Sequence, residues 1–432
     1  MERYSHILDY LYNRLPMFQR TGPAAYKNSL ENTLRLDKMY GEPHRHYPTL
    51  HVAGTNGKGS VSHMLASVLQ SAGFRCGLYT SPHLKDFRER IRINGKMISR
   101  AEVVRWVETF RISNLTEGIE PSFFELTAAM AFDYFSHKNV DIAVIETGLG
   151  GRLDSTNIIT PLISLITNIS YDHMSLLGST LEQIAGEKAG IIKPGVPVVI
   201  GQYQPETADV FRQKAAHEEA PLFFAGREYQ ASYSMTGTDG MQIFNFRHHD
   251  SLRYSNLKTD LPGWYQRLNI PAVLKSVDLL REAGWIIPDE ALYRGLAEVT
   301  TLTGLQGRWQ VLGHNPLVVC DTGHNEDGIR EVVSQLRNTP CKKIHFVLGM
   351  VSDKEISNVL ALLPSEAIYY FTQAGIPRSL DADLLRNKAE SYGLKGESYR
   401  PVAAAFAAAK AAAHEEDLVF VGGSNFVVGE IL

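Results

Sequence analysis

The stretch His51-Val52-Ala53-Gly54-Thr55-Asn56-Gly57-Lys58-Gly59-Ser60 decides the fold of this 432-residue chain. An apolar run over residues 49–53 enters a glycine-rich turn with one lysine, and a helical pattern follows over 61–71. This order is typical of a phosphate-binding loop, because glycines let backbone N–H groups approach phosphate oxygens and the lysine adds positive charge. Val52 stands where the usual pattern has its first glycine, so a plain glycine turn before a helix is the alternative interpretation. We expect the protein to handle ATP or a similar nucleotide.

Composition and charge argue against several functional classes. Apolar residues make up 44% and charged residues 21% of the chain, as in ordinary globular proteins, and the net charge of −4 makes nucleic-acid binding a weak hypothesis. No run reaches the ~18 apolar residues of a membrane span, and the N-terminus has no hydrophobic signal segment. The three cysteines show neither metal-ligand spacing nor a disulfide framework. We therefore expect a cytoplasmic protein with no nucleic-acid or membrane partner.

Strand and helix patterns alternate along most of the chain, which predicts an α/β fold with parallel sheets covered by helices. In the first part, apolar runs predict strands at 49–53, 75–79, 141–146, 162–167 and 197–200. Amphipathic patterns predict helices between them at 101–113, 123–137, 181–189 and 206–217. Residues 227–258 alternate polar and apolar, which predicts short antiparallel strands, and a helix follows at about 266–283.

The α/β pattern restarts after about residue 301, so we predict two domains, 1–300 and 301–432. Strands are predicted in the second domain at 317–320, 343–348, 367–371 and 418–421. Helices are predicted there at 326–336, 381–391 and 403–414. Because ligands in such sheets bind beyond the carboxyl ends of strands, polar residues at those ends are the candidates for chemistry.

Polar side chains do follow the strands predicted in the first domain. A carboxylate at Glu146 can hold Mg²⁺ against nucleotide phosphates, since Mg²⁺ prefers hard oxygen ligands, and the Ser81 hydroxyl can do the same. His173 follows the next strand and is a further candidate ligand. The alternatives are a carboxylate that caps a turn, a Ser-Pro turn and a solvated histidine. Lys188 ends a predicted helix, where by itself it reads as a solvated partner of the helix dipole.

The second domain offers cations in loops that lie near its predicted strands. Arg308 and Lys354 can face a nucleotide or a transferring phosphoryl group, and Asp321-Thr322-Gly323-His324-Asn325 follows an apolar strand. Ordinary loop chemistry is the alternative for each of these. Taken together, glycines, cations, hydroxyls and carboxylates at successive strand ends are what ATP-driven phosphoryl transfer requires, namely positioning and charge neutralisation.

These motifs, in this order, resemble those of folylpolyglutamate synthase, which in many bacteria is also dihydrofolate synthase and which belongs to the Mur ligase superfamily. The resemblance runs from about residue 20 to Glu430 and is carried by 51–60, 80–83, 88–91, 122–125, 146–154, 172–173, 186–190, 307–308 and 321–325. It implies a Mur-ligase-like central domain with a phosphate loop and a mostly parallel sheet, and a smaller Rossmann-like C-terminal α/β domain. It also implies a monomer.

The resemblance implies an ATP-dependent ligase reaction. ATP would phosphorylate a carboxylate of a pteroate or folate, and the amine of L-glutamate would attack the resulting acyl phosphate, with phosphate leaving. The implied substrates are dihydropteroate, tetrahydrofolate or its polyglutamates, and L-glutamate. Two Mg²⁺ ions would offset the repulsion between ATP and the carboxylate.

Roles for individual residues are also implied by the resemblance. The phosphates would be cradled by Gly54, Thr55, Asn56, Gly57, Lys58, Gly59 and Ser60, and the nucleotide contacted by Gln266, Asn269, Arg308 and Asp321. The metal ligands would be Ser81, Glu146, His173 and a carbamylated Lys188. The substrate would be bound by Ser122, Phe124, Arg152 and Asp154, of which Phe124 and Asp154 take the pterin positions of the bifunctional enzymes. The implied catalytic residues are Lys58, His173, Lys188, Arg308, Asp321 and His324.

Three departures from the family pattern leave alternatives open. Tyr265 stands where a histidine is usual, Thr322-Gly323 replaces Gly-Ala, and Tyr40-Gly41-Glu42-Pro43 replaces Leu-Gly-Asn-Pro. The last lies in the substrate loop, so a folylpolyglutamate synthase without activity on dihydropteroate is a close alternative. A cell-wall Mur ligase and a nucleotide-binding module without ligase activity are more distant ones.

Overall fold

The computed structural model describes residues 2–17, 22, 29–352 and 356–432. The chain divides into two compact units, and the α/β fold is confirmed, with a mostly parallel sheet in each unit. Unit 1 comprises Met1–Asp260 and Gln266–Gly304, and unit 2 comprises Leu261–Tyr265 and Leu305–Leu432. The short segment Leu261–Tyr265 thus belongs to unit 2, although the domain boundary drawn from the sequence places it in the first domain.

Unit 1 contains an eight-stranded sheet and a separate three-stranded antiparallel sheet. Its strands are β1 (Thr49–Ala53), β2 (Cys76–Tyr79), β3 (Ile91–Ile93), β4 (Lys96–Met97), β5 (Ile142–Glu146), β6 (Ile163–Ile166), β7 (Val198–Ile200), β8 (Leu222–Phe224), β9 (Tyr229–Thr236), β10 (Gln242–His248) and β11 (Ser251–Thr259). The large sheet has the order β4-β3-β2-β5-β1-β6-β7-β8, and it is parallel from β2 through β8. Strands β3 and β4 add an antiparallel edge.

The helices of unit 1 lie between these strands. They are α1 (Glu2–Asp9), α2 (Glu31–Met39), α3 (Lys58–Ser71), α4 (Arg100–Glu117), α5 (Phe123–His137), α6 (Met174–Leu177), α7 (Leu181–Ala189), α8 (Pro205–His217), α9 (Ala225–Glu228), α10 (Gln266–Glu282), α11 (Asp289–Ala297) and α12 (Val299–Thr303), with a π-helix at Tyr10–Arg14 and 3₁₀ turns at Pro43–Arg45 and Phe87–Arg90. No helix in the described part of the chain is long and apolar enough to cross a membrane.

The centre of the large sheet forms because its strands are continuous apolar runs. Every residue of β1 and of β5 is buried, as expected of parallel strands covered on both faces. Strand β1 pairs with β5 on one side and β6 on the other, and Val52 stands opposite Glu146. The loops after these three strands therefore leave the sheet at the same edge.

Unit 2 is built on a six-stranded sheet in the order β12-β13-β17-β14-β15-β16, parallel except for β12. The strands are β12 (Gln310–His314), β13 (Leu317–Cys320), β14 (Ile344–Leu348), β15 (Ile368–Thr372), β16 (Lys395–Tyr399) and β17 (Leu418–Gly422). The helices are α13 (Glu326–Asn338), α14 (Ser357–Leu362), α15 (Ala382–Glu390), α16 (Val402–Ala412) and α17 (Asn425–Ile431). Strands β12 and β16 were not predicted, because both are edge strands whose residues are largely exposed or half-buried.

Candidate active site

The glycine-rich loop after β1 leads into a helix start that has no cap of its own. Gly57 occupies the N-cap of α3 at φ +83° and offers no side chain to the helix. The first intrahelical bond runs from Val61 N to Gly57 O at 2.9 Å, so the N–H groups of Lys58, Gly59 and Ser60 have no acceptor within the helix. Unsatisfied amides at a helix N-terminus are a ready site for an anion such as phosphate.

The glycines of this loop are required by close contacts as well as by backbone conformation. A Cβ on Gly54 would lie 1.9 Å from Thr167 Oγ1, and one on Gly57 would lie 2.2 Å from Asn269 Oδ1. Both residues also have positive φ angles, which L side chains rarely adopt. The loop is therefore shaped by its neighbours before any ligand binds.

Residues after β6 hold the loop from the other side, and sequence reasoning missed them. The amides of Thr55 and Asn56 donate to the backbone oxygen and to Oδ1 of Asn168, at 3.0 and 2.9 Å. Thr167 Oγ1 donates to Asn56 O at 2.5 Å, and Ser170 N donates to Thr55 Oγ1 at 3.0 Å. The available signal was the polar run Thr167-Asn168-Ile169-Ser170 directly after an apolar strand.

Two lysines meet at one backbone oxygen of the loop. Lys58 Nζ donates to Gly54 O at 3.0 Å and to Thr55 O at 3.2 Å, while Lys188 Nζ donates to Gly54 O at 2.9 Å. Lys188 lies at the end of α7 and is only 3% exposed. Burial, assisted by the charge of Lys58, lowers the pKa of Lys188 to about 7, although Asp172 and Asp154 act in the opposite direction. Its environment is thus not that of a solvated lysine.

The proposed metal ligands lie at the ends of neighbouring strands. Ser81 N donates to Glu146 Oε2 at 3.3 Å, so the structure brings these two residues together. Glu146 is buried, and its carboxylate and the hydroxyl of Ser81 are hard oxygen donors of the kind that suits Mg²⁺. His173 adopts a left-handed backbone at φ +51°, and its Nε2 lies 3.8 Å from Asp172 Oδ1. The structure thus adds Asp172 to the residues around His173.

The first turn of α10 packs against the phosphate loop. Asn269 Nδ2 donates to Gln266 Oε1 at 2.8 Å, and Gln266 Nε2 lies 3.4 Å from Ser60 Oγ. Both amide side chains are buried, and Asn269 also touches the place where a Gly57 side chain would be. Gln266 and Asn269 therefore lie beside the residues that the resemblance assigns to the phosphates.

The second glycine-rich loop, residues 148–156 after β5, is closed by its own carboxylate. Asp154 Oδ2 accepts from the amides of Gly148 and Leu149 at 2.8 and 2.9 Å, and Oδ1 accepts from Thr156 N and Oγ1 at 2.9 and 2.5 Å. Burial raises the pKa of Asp154, and these hydrogen bonds oppose that shift. The loop packs against Phe124, since a Cβ on Gly148 would lie 2.5 Å from the half-buried ring.

Two of the residues assigned to the substrate have structural partners. Ser122 caps α5, because its hydroxyl accepts from Glu125 N at 3.2 Å while Glu125 Oε2 accepts from Ser122 N at 2.6 Å. Arg152 is exposed and forms an ion pair of 2.8 Å with Glu187, on the helix that carries Lys188. This pair and the cap account for the position of both side chains.

In unit 2, Asp321 is the centre of a buried network. Its Oδ2 accepts from Tyr265 Oη at 2.6 Å and from Trp309 N at 2.7 Å, and its Oδ1 accepts from Gly323 N at 2.7 Å. Burial raises the pKa of Asp321 and, together with the nearby carboxylate charge, raises the pKa of Tyr265 well above its ordinary value. Tyr265, the residue that departs from the family histidine, was not expected in this role.

Arg308 and His324 flank this network. The Arg308 guanidinium donates to Thr322 Oγ1 and, at 3.2 Å, to Gly307 O, and His324 Nδ1 lies 2.9 Å from Thr322 O. Unit 2 thus gathers Arg308, Asp321 and His324 on the loops around the start of β12 and the end of β13. Lys354 lies outside the described residues.

Models of known families match segments of both units. Residues 52–277 match the Mur ligase middle domain, and residues 307–425 match the Mur ligase glutamate ligase domain. The chain is similar to dihydrofolate synthase/folylpolyglutamate synthase of Bacillus subtilis (strain 168), with 36% identity over 380 residues that cover 84% of this chain and 87% of that protein.

Two further relatives extend the comparison. Folylpolyglutamate synthase of Lacticaseibacillus casei is 32% identical over 391 residues, which cover 87% of each chain. Among solved structures, Escherichia coli FolC in complex with DHPP and ADP matches with a TM-score of 0.85 and 29% identity, over 99% of this chain and 96% of that one.

Proposed function

The chain belongs to the Mur ligase family and, within it, to the dihydrofolate synthase/folylpolyglutamate synthase group, and from this premise we propose that it joins L-glutamate to dihydropteroate and to reduced folates at the expense of ATP. The observation that carries the proposal is the uncapped start of α3, where Lys58 and Lys188 meet at Gly54 O. Free amides and the Lys58 ammonium at this loop suit the phosphates of a nucleotide.

The reaction would proceed in two steps. A substrate carboxylate oxygen attacks the terminal phosphorus of ATP, ADP leaves, and an acyl phosphate forms. The amine of L-glutamate then attacks the acyl carbon, the tetrahedral intermediate expels phosphate, and the amine loses a proton. Phosphorylation is needed because a carboxylate alone is a poor electrophile. The amides of Lys58, Gly59 and Ser60 would hold the ATP phosphates while Lys58 offsets their charge.

Ser81 and Glu146 would hold a magnesium ion, because their oxygens are hard donors at the strand ends that adjoin the phosphate loop. His173 is proposed as a ligand of a second ion. Bound Mg²⁺ would supply charge neutralisation between the nucleotide and the substrate carboxylate.

Lys188 is proposed to be carbamylated. Its neutral amine would add to CO₂ and lose a proton, which gives a carbamate anion at Nζ. A pKa of about 7 supports the modification, since it leaves a substantial share of the amine neutral near neutral pH. The carbamate would convert a buried cation into an oxygen ligand that joins Glu146 and His173 in the proposed metal-ligand set.

The pterin site is proposed on the half-buried Phe124 ring and the loop that Asp154 closes. A flat heteroaromatic ring can stack on Phe124, next to the backbone of Gly148. Asp154 would contribute by holding that backbone in place, and Ser122 and Arg152 would border the site. In unit 2, Arg308, Asp321 and His324 are proposed to serve the nucleotide and the reacting groups, with Tyr265 holding Asp321.

The proposal is tested by ATP-dependent incorporation of radiolabelled glutamate, with dihydropteroate and tetrahydrofolate offered separately. Incorporation into both substrates is expected. Incorporation into tetrahydrofolate alone would leave the narrower alternative, a folylpolyglutamate synthase, whose name the Lacticaseibacillus casei relative carries. Incorporation into neither, or activity on a UDP-muramoyl substrate, would overturn the folate assignment.

A further inference from the structure

A cluster of metal-ligating side chains lies outside the residues assigned to the ligase reaction. Glu228 ends α9, His248 ends β10, and His249 is the next residue of the turn toward β11. One ligand atom from each of the three lies within 4.8 Å of the others. Glu228 Oε2 and His248 Nε2 are 3.8 Å apart. The sequence of this region shows alternating strands and a His-His pair. It does not predict that Glu228 lies close to these two histidines.

The backbone at His249 departs from strand geometry in a way that brings two imidazoles together. Successive side chains of a regular strand point to opposite faces. His249 instead has φ +50°, and its N–H donates to Glu228 O at 2.9 Å. The ring centroids of His248 and His249 lie 4.4 Å apart as a result. Few residues other than glycine adopt this backbone, and histidine is among those that do so more often.

The carboxylate and one imidazole are held in place by further contacts. Lys275 Nζ lies 2.9 Å from Glu228 Oε2, and the same ammonium lies 4.0 Å from the centroid of Phe223. This ion pair holds the carboxylate beside the His248 imidazole, in the manner of the outer contacts that orient metal ligands. The His248 ring packs on Tyr229, with centroids 4.7 Å apart.

We propose that Glu228, His248 and His249 form a zinc site that ties the start of β9 to the turn between β10 and β11. Two imidazole nitrogens and one carboxylate oxygen are a ligand set that Zn²⁺ accepts, at about 2.0–2.2 Å, with water in the fourth position. The site uses no group assigned to ATP, folate or glutamate. The zinc site can therefore be tested independently of the proposed ligase activity.

The test is calorimetric titration of the full chain with zinc chloride, comparing wild type with His248→Ala, His249→Ala and Glu228→Gln. The matched control is His217→Ala. His217 lies 3.2 Å from Glu218, whose carboxylate also binds Lys214. These three residues have the same imidazole, carboxylate and ammonium groups as the cluster and its lysine, but they lack a second histidine. Zinc bound by other groups of the chain is common to all variants and cancels in the comparison.

Each of the three cluster variants is expected to lose one zinc equivalent or to bind it at least about tenfold more weakly, while His217→Ala binds as wild type does. Zinc should also raise the melting temperature of wild type but not of the double variant His248→Ala/His249→Ala, because a ligand stabilises only the state that binds it. Unchanged zinc titrations in the histidine variants, or an equal loss in His217→Ala, would overturn the proposal.

Discussion

Two glycine-rich loops follow neighbouring strands of one sheet, and they differ in whether their backbone N–H groups find an acceptor within the loop itself. After β1, the loop 54–57 leads to a helix start whose N-cap, Gly57, provides no side-chain acceptor. After β5, the loop 148–156 turns around Asp154, whose carboxylate accepts four hydrogen bonds from that same loop. The first loop presents donors to a ligand, whereas the second has used its donors to fix its own shape. Glycine content alone therefore does not identify an anion site; the absence of an internal acceptor does.

The largest effect is expected from Lys58→Ala, which removes the cation of the open loop. Ligation should fall by at least about 100-fold, since a positioned charge at the reacting phosphate is lost. The melting temperature should change little, because the bonds that Lys58 Nζ makes among the described residues are to the carbonyls of Gly54 and Thr55, within its own loop. Glutamate incorporation and thermal melting would be measured together, with the exposed Lys38→Ala as control. Near wild-type ligation in Lys58→Ala would contradict the proposal that the loop after β1 holds the reacting phosphates.

Lys188→Ala should be nearly inactive and, unlike Lys58→Ala, partly rescued by formate or acetate. A small carboxylate can occupy the place of the carbamate oxygens, whereas it cannot replace the ammonium of Lys58. Incorporation would be measured with and without the added acid in both variants. Full activity in Lys188→Ala, or equal rescue of both variants, would contradict the modified-lysine assignment. Carbon-13 bicarbonate labelling of wild type, observed by NMR, gives an independent readout of the carbamate.

Asp154→Asn tests whether the loop 148–156 depends on the Asp154 carboxylate for its shape. An amide accepts at only one of its two atoms, so buried donors of the closed loop lose their acceptor at a cost of about 1–3 kcal/mol. We expect a lower melting temperature together with a higher KM for the folate substrate, because the Gly148 backbone beside Phe124 loosens. Asp141→Asn, an exposed carboxylate that accepts from Arg75 N at 2.7 Å, should alter melting much less. A higher KM with unchanged melting would instead make Asp154 a direct pterin ligand.

The strands and the phosphate loop could be predicted from the sequence because their signals are local. A continuous apolar run such as 142–145 has few alternatives to a buried strand, whereas the polar edge strand Lys395–Tyr399 resembles a loop until its neighbour is known. The burial, the hydrogen-bond partners and the pKa of each polar group in the site could not be predicted from such local signals. Lys188 meets Gly54, which is 134 positions away in sequence, and its burial is what lowers its pKa.

The same reasoning explains why Asp154 and Ser122 were assigned to the substrate from sequence. Both occupy family positions, but the structure shows hydrogen bonds that hold the protein itself. For Ser122 a local signal was present, since Ser122-Phe123-Phe124-Glu125 before an apolar run is the pattern of a capping box. A motif that satisfies its own donors is weaker support for a ligand contact than one that leaves them open.

The smallest effect is expected from Ser122→Ala, which turns a capped helix into an uncapped one without creating a ligand site. Loss of the bond from Glu125 N should cost about 1 kcal/mol in the free energy of unfolding, with the folate KM unchanged. Ser122→Thr should restore the stability, because threonine also caps helices. Thr180→Ala, which opens the matching capping box of α7, should cost a similar amount. Chemical denaturation and folate titrations would be compared across the three variants. A raised KM for folate in Ser122→Ala, at unchanged stability, would mean that the Ser122 hydroxyl contacts the substrate. A helix start that carries a cap would then bind a ligand, as the uncapped start of α3 is proposed to do.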